Sequence, residues 1–191
     1  WDGKAVASDF YDLKQDVEAL LQYAGRREAL TFVRGEHAAL HPGQTASIRA
    51  GKRTVGWLGR IHPQLAASCD LDSGTCLFEL EYAAIERGRL ATFSPISRYP
   101  SIRRDLAVVV DADLPASELE QAIRTAAGGL LAELLMFDVY QGKGVENGRK
   151  SIAFGLILQD YSRTLTEKDI EEVVTGVTDL LKENFGASLR D

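Results

Sequence analysis

The chain has 191 residues, of which 45% are hydrophobic and 26% charged, with a net charge of −6. This is an ordinary globular mix, long enough to bury a core without staples, which excludes a disordered or fibrous chain. No run approaches the roughly 20 apolar residues that span a bilayer, and a net negative charge argues against a nucleic-acid partner unless the cations are segregated.

The chain opens on Trp1 rather than Met, so a fragment of a longer protein is expected, and no leader pattern is visible. Asp12-Leu13-Lys14-Gln15 reads as a capping box, and Leu13, Val17, Leu20, Leu21 and Ala24 then recur at helical spacing up to Gly25. Strand-like runs follow at 29–34, 45–50 and 53–61, the last two joined by Gly51-Lys52. His62-Pro63 opens a short helix through Ala67, with Pro63 at the first helical position, and a strand is expected at 75–82. This half predicts an antiparallel sheet with flanking helices. His37 and His41 are four apart, but no Glu follows His37, so the zinc-protease pattern fails, and His41-Pro42-Gly43 reads as a turn. Cys69 and Cys76 are too few for a disulfide framework and lack the partners of a zinc site. They fit a reducing cytoplasm, and no metal is expected. A connector at 91–96, broken by Ser94 and Pro95, separates a first domain at 1–90 from a second at 97–190.

The second half has a clear order. A strand at 104–111 carries the run Leu106 to Val110. Pro115 starts a helix with Leu119, Ala122, Ile123 and Ala126 on one face, stopped by Gly128-Gly129. Strands at 130–140 and 150–159 flank the turn Gly142 to Gly148. Thr166 with Asp169 caps a long helix whose stripe is Ile170, Val173, Val174, Val177, Leu180 and Leu181. Gly186 ends that helix, and 187–190 adds a short strand. The order β-α-β-β-α-β is the split βαβ arrangement of ferredoxin-like folds, with both helices on one sheet face and the other face free. The fold class is α+β throughout.

Several phrases in this order carry a resemblance. They are Ser97-Arg98-Tyr99-Pro100, Arg103-Arg104-Asp105-Leu106-Ala107-Val108-Val109-Val110, Phe137-Asp138-Val139-Tyr140-Gln141-Gly142, Lys150-Ser151-Ile152-Ala153-Phe154, Gln159-Asp160 with Arg163-Thr164-Leu165-Thr166, and Gly186-Ala187-Ser188-Leu189-Arg190. Together they resemble the ferredoxin-fold anticodon-binding domain of the bacterial phenylalanyl-tRNA synthetase β-subunit family, over residues 97 to 190. Asp9-Phe10-Tyr11-Asp12-Leu13-Lys14, Val17-Glu18-Ala19-Leu20-Leu21, His41-Pro42-Gly43-Gln44, Gly56-Trp57-Leu58-Gly59-Arg60-Ile61-His62-Pro63 and Phe78-Glu79-Leu80 are similar to that subunit's catalytic-like module. The resemblance implies the C-terminal part of the subunit. It implies a first domain with a class II synthetase-like core, no active site, and a role in packing against the α subunit of an α2β2 enzyme. ATP and magnesium are then expected for the complete enzyme, and no cofactor in this fragment, which lacks the ATP-binding arginine motifs.

Binding an anticodon loop needs aromatic faces for splayed bases and cations for phosphates. The resemblance places base stacking on Tyr140 and polar contacts on Asp138 and Ser151. Asp138 and Tyr140 are two apart on a strand and so share a face. The competing reading makes Tyr140 a cover for the sheet end. Residues 97–191 hold 11 basic and 16 acidic residues, a net −5. The acids lie mostly on helices, while Arg98, Arg103, Arg104, Lys143, Arg149, Lys150 and Arg163 lie on strands and turns. That segregation is expected to leave one positive surface for tRNA(Phe), although Arg104-Asp105 also reads as a structural ion pair. Gly142-Lys143-Gly144 is not a P-loop, because it lacks the spacing and opens no helix. The second half contains no His, no Cys and no nucleophile–base pair, so no catalytic residue is expected there. The aromatic Lys/Arg-Gly-Phe/Tyr signature of RRM modules is missing. Two rivals remain: a ferredoxin-like small-molecule regulatory module, and a purely structural assembly domain.

Overall fold

Asp9 sets the first helix. Its carboxylate accepts from the Tyr11 and Asp12 N–H groups, while the Asp12 carboxylate accepts from the Asp9 N–H, a reciprocal capping box. The cap of helix α1 (Phe10–Tyr23) therefore lies three residues before the one expected at Asp12, which is the third residue of the first turn. These observations come from a computed structural model that describes residues 7–25, 30–86, 93 and 96–190. The chain divides into two units, residues 1–93 and 94–191. Residue 29 of the first expected strand and residues 91, 92, 94 and 95 of the expected connector lie outside the described residues.

In the first unit, β1 (Thr31–Arg34), β2 (Leu40–Ala50), β3 (Arg53–Ile61) and β4 (Cys76–Leu80) form an antiparallel meander in that order. His41-Pro42-Gly43, expected as a turn, lies inside β2. Leu40 pairs with Ile61 before a register irregularity that runs to Thr45, and such a break is where a sheet tolerates proline. Between β3 and β4, α2 (Pro63–Ser68) is capped by His62, whose Nδ1 accepts the Gln64 N–H. Strand β4 stops short of Tyr82, because α3 (Tyr82–Glu86) begins there. Helix α1 packs on β3 and β4 and buries Val17 and Leu21 with Ile48, Val55 and Leu58. Gly56 and Gly59 permit the close strand approach. A Cβ would stand 2.3 Å from the Glu79 carbonyl oxygen at the first and 2.4 Å from the Gln44 carbonyl oxygen at the second.

The second unit comprises β5 (Ile102–Asp111), α4 (Ala116–Ala127), a 3-10 turn (Gly128–Leu130), β6 (Leu131–Tyr140), β7 (Arg149–Leu158), α5 (Glu167–Phe185) and β8 (Ser188–Leu189). The sheet order is β6-β7-β5-β8 with every pair antiparallel, the ferredoxin-like topology. Thr166 and Asp169 form the α5 capping box, and Gly186 takes the left-handed C-cap at φ 59°. Leu106, Val108, Val110, Ile152, Phe154, Leu156 and Leu158 share one buried cluster with Leu119 and Ile123 of α4 and Ile170, Val177 and Leu181 of α5. Strand alternation fixes the rest: on β5 and β7 the even-numbered side chains face the helices and the odd-numbered ones face the open side. The fold is α+β in both units. Among the described residues, no helix is long and apolar enough to cross a membrane.

Candidate nucleic-acid interface

Register places three of the expected site residues together. Tyr140 lies opposite Ser151, and Ser151 opposite Val109. One row along, Asp138 lies opposite Ala153, and Ala153 opposite Ala107. Asp138, Tyr140 and Ser151 therefore share the open face of the sheet, above a floor of small side chains.

Ser151 is only 4% exposed although no helix covers its face. Its cover is a pair of side chains that meet from opposite edges of the sheet. The Arg190 N–H donates to the Ala107 carbonyl at 3.0 Å, which anchors Arg190 beside β5. Its guanidinium reaches the Tyr140 ring, with Cζ 4.8 Å from the ring centroid, a cation–π stack. The Tyr140 hydroxyl donates to the Lys143 carbonyl at 3.2 Å, which ties the ring to the β6–β7 turn. Gly142 makes that possible: a Cβ there would stand 2.8 Å from the hydroxyl. The ring is thus oriented at its tip and stacked on one side, and sits on the last residue of an edge strand.

The expected cations do not assemble into one positive surface. Adjacent strand residues point to opposite faces, so Arg103 is on the open face while Arg104 turns to the helix side and pairs with Glu167 of α5 at 2.7 Å. Lys150 likewise lies opposite Val110 on the helix side, away from Ser151. The expected Arg104–Asp105 pair is corrected: Asp105 pairs with Arg103 at 2.7 Å, two residues away on the same face. Arg149 is taken up inside the fold. Its Nη2 donates to the Val109 carbonyl at 2.7 Å and to the Gly186 carbonyl at 3.0 Å, fastening β5 to the α5 C-cap. Arg98 is exposed in the segment beside Gln159 and Asp160, where Ser97 and Gln159 hold the Tyr99 carbonyl. That is the other end of β7 from Ser151, about 23 Å away at ~3.3 Å per residue. Among the described residues, the cations beside the Tyr140 ring are Lys143, exposed in the turn whose carbonyl takes the ring hydroxyl, and Arg190. The open face also carries Glu133, Asp105 and Asp138.

The perturbed carboxylates belong to the α5 end. The Arg163 guanidinium and the Thr166 N–H and hydroxyl hold the Asp169 carboxyl far below the usual carboxylate range. The Ser162 N–H and hydroxyl, with Arg163, lower Asp160. In the first unit, burial pushes the Cys76 thiol up. Among the described residues, no three His, Cys, Asp or Glu side chains gather as metal ligands.

Residues 97–190 match the model of the ferredoxin-fold anticodon-binding domain, and residues 1–82 match that of the phenylalanyl-tRNA synthetase β-chain CLM domain. The chain belongs to the phenylalanyl-tRNA synthetase β-chain family. It is 47% identical over 182 residues to the phenylalanine–tRNA ligase β subunit of Pseudomonas fluorescens Pf-5, covering 95% of this chain and 23% of the relative. Over all 191 residues it is 44% identical to the same subunit of Pasteurella multocida and 43% to that of Methylococcus capsulatus, covering 24% of each. The chain thus spans about a quarter of the length of these synthetase β chains. The anticodon-binding match takes in every expected site residue and also Arg190, which sequence reasoning missed as a site residue. Its signal was the terminal Ser188-Leu189-Arg190 run, but only the pairing of β8 with β5 shows that Arg190 reaches Tyr140.

Proposed function

We propose that the second unit binds the anticodon region of tRNA(Phe) within phenylalanine–tRNA ligase, the enzyme that attaches phenylalanine to tRNA(Phe) using ATP. The observation that carries this reading is the Tyr140 ring, held by the turn and stacked by Arg190 on an open sheet face beside Asp138 and Ser151. A splayed base stacks on the ring, while the exposed Asp138 offers polar atoms to its edge; Ser151, buried beneath the Tyr140–Arg190 pair, joins them only once Arg190 is displaced. The family match supports this over a small-molecule regulatory module. The first unit packs against the α subunit of a cytoplasmic α2β2 enzyme. ATP and magnesium act elsewhere in that enzyme, and the purified chain alone is expected to show no phenylalanine-dependent ATP–pyrophosphate exchange.

Labelled tRNA(Phe) is titrated with wild-type chain and Tyr140→Ala, alone and in the assembled ligase, over a range of salt. Loss of one stacked base costs ~1–3 kcal/mol, so the substitution is expected to weaken binding about 5- to 150-fold. With Lys143 and Arg190 as the two phosphate contacts, log K is expected to fall against log salt with a slope of roughly −1.4. Unchanged tRNA affinity and aminoacylation in the ligase carrying Tyr140→Ala would leave the unit a purely structural role.

A further inference from the structure

We propose that Phe137, backed by Arg103, is a second stacking platform on the open face, taking the base of a nucleotide neighbouring the one on Tyr140. The inference rests on the RNA-binding reading above. Phe137 is 52% exposed, an unusual state for a phenylalanine within a strand. It falls at the register irregularity between Met136 and Asp138. Because Met136 pairs with helix-side Phe154 and Asp138 with open-face Ala153, alternation breaks at Phe137, and the contact with Arg103 puts its ring on the open face next to Asp138.

The ring's neighbours are ordered for a ligand rather than for a core. Arg103, an open-face residue of β5, lies over the ring with Cζ 5.3 Å from the centroid. Asp105 fixes that guanidinium through Nε at 2.7 Å and Nη2 at 3.4 Å. The pair sits above Gly155, where a Cβ would stand 3.2 Å from Arg103 Nε and 3.3 Å from Asp105 Oδ1. A carboxylate therefore orients a cation, and the cation stacks on an aromatic ring that remains half open to water. Tyr140 likewise carries a stacked cation, Arg190, which is anchored through its backbone N–H and not by a carboxylate. The two rings stand three residues apart on β6, about 10 Å, within reach of neighbouring nucleotides in a splayed loop. Asp138 lies between them with acceptor oxygens for base N–H groups. Four-stranded sheets of this βαββαβ type can stack two or three bases through aromatics on the open face, which any base sequence satisfies because every base has a π face.

The test uses the assembled ligase with tRNA(Phe) carrying 2-aminopurine at one anticodon-loop position at a time. Phe137→Leu keeps the apolar bulk and removes the π face; Phe137→Trp enlarges it. Phe137→Leu is expected to weaken binding at least 5-fold and to relieve quenching at one loop position, Tyr140→Ala at a different, nearby one, and Phe137→Trp to restore or deepen quenching at the first. If Tyr140→Ala weakens binding while Phe137→Leu leaves affinity and quenching at every position unchanged, the second platform is wrong and the patch serves protein contact, with the anticodon-binding reading intact. If both substitutions are silent, both readings fall.

Discussion

Replacing Arg149 by methionine keeps the aliphatic stem and removes the guanidinium that ties the Val109 carbonyl of β5 to the Gly186 carbonyl at the end of α5. Hydrogen bonds from a charged donor contribute roughly 1.5–3 kcal/mol each. Against this, Arg149 Nε is buried with no partner, and relieving such a group returns roughly 1–3 kcal/mol. The two bonds together contribute roughly 3–6 kcal/mol, so the net loss centres on about 2.5 kcal/mol, which in a unit of this size lowers Tm by about 10–20 °C. Arg149→Lys, which keeps a charge and one or two donors, should recover part of it. Because Gly186 leads directly into β8, amide exchange at the Arg190 N–H should accelerate and tRNA binding should fall as Arg190 leaves Tyr140. Thermal melting with hydrogen exchange reads both effects. A Tm within about 2 °C of wild type together with lost tRNA binding would refute the reasoning and make Arg149 an RNA ligand, not a staple.

Two further predictions concern the frame. Gly59→Ala sets a Cβ 2.4 Å from the Gln44 carbonyl oxygen and 3.0 Å from Thr45 Cα, both backbone atoms of the paired strand. Only a parting of β2 from β3 relieves this, so a loss of about 1–3 kcal/mol is expected as a lower denaturant midpoint; an unchanged midpoint would show that the strands yield freely. Asp169 holds Arg163 and the Thr166 cap as a carboxylate, and its folded pKa lies below the unfolded value near 3.8. Its contribution is complete above that value and is lost as pH falls from there through the folded pKa. The Tm gap between wild type and Asp169→Asn should therefore be constant from pH 7 to about pH 5 and narrow below about pH 4; a gap that widens in acid would contradict the assignment.

The βαββαβ order was legible because Leu106 to Val110 and the stripes from Leu119 and Ile170 each have one workable period and visible stops. The start of α1 was not: Asp12 was read as the cap, and only the reciprocal bonds between Asp9 and Asp12 assign that role to Asp9. Likewise His41-Pro42-Gly43 has turn chemistry, and only its pairing environment keeps it inside β2. In the site, Asp138, Tyr140 and Ser151 were pointed to by the family resemblance, and strand period added that Asp138 and Tyr140 share a face. The cations were misjudged although the signal was present: Arg103 with Arg104, and Arg149 with Lys150, are neighbours on strands and cannot share a face. Arg190 and the aim of Phe137 were not legible, since one depends on a two-residue strand at the far edge and the other on a bulge.

These placements bear on how a net-acidic unit can hold an anionic loop. Of the open-face cations, Arg103 is neutralised by Asp105, while Asp138 and Glu133 repel phosphate. Attraction at long range is therefore weak, and affinity must arise at contact, from rings and base edges. In that setting an arginine is of more use stacked on an aromatic ring than free in solvent, because it remains cationic at the rim while ordering the surface on which the base lands. The acids are not idle either: Asp105 orients one such arginine, and under the proposed function the acceptor oxygens of Asp138 would discriminate among base edges. A surface built this way favours splayed bases of fitting edge chemistry over duplex phosphates. The rest of the enzyme, three quarters of the length of the related β chains, would then supply the attraction that brings the tRNA to it.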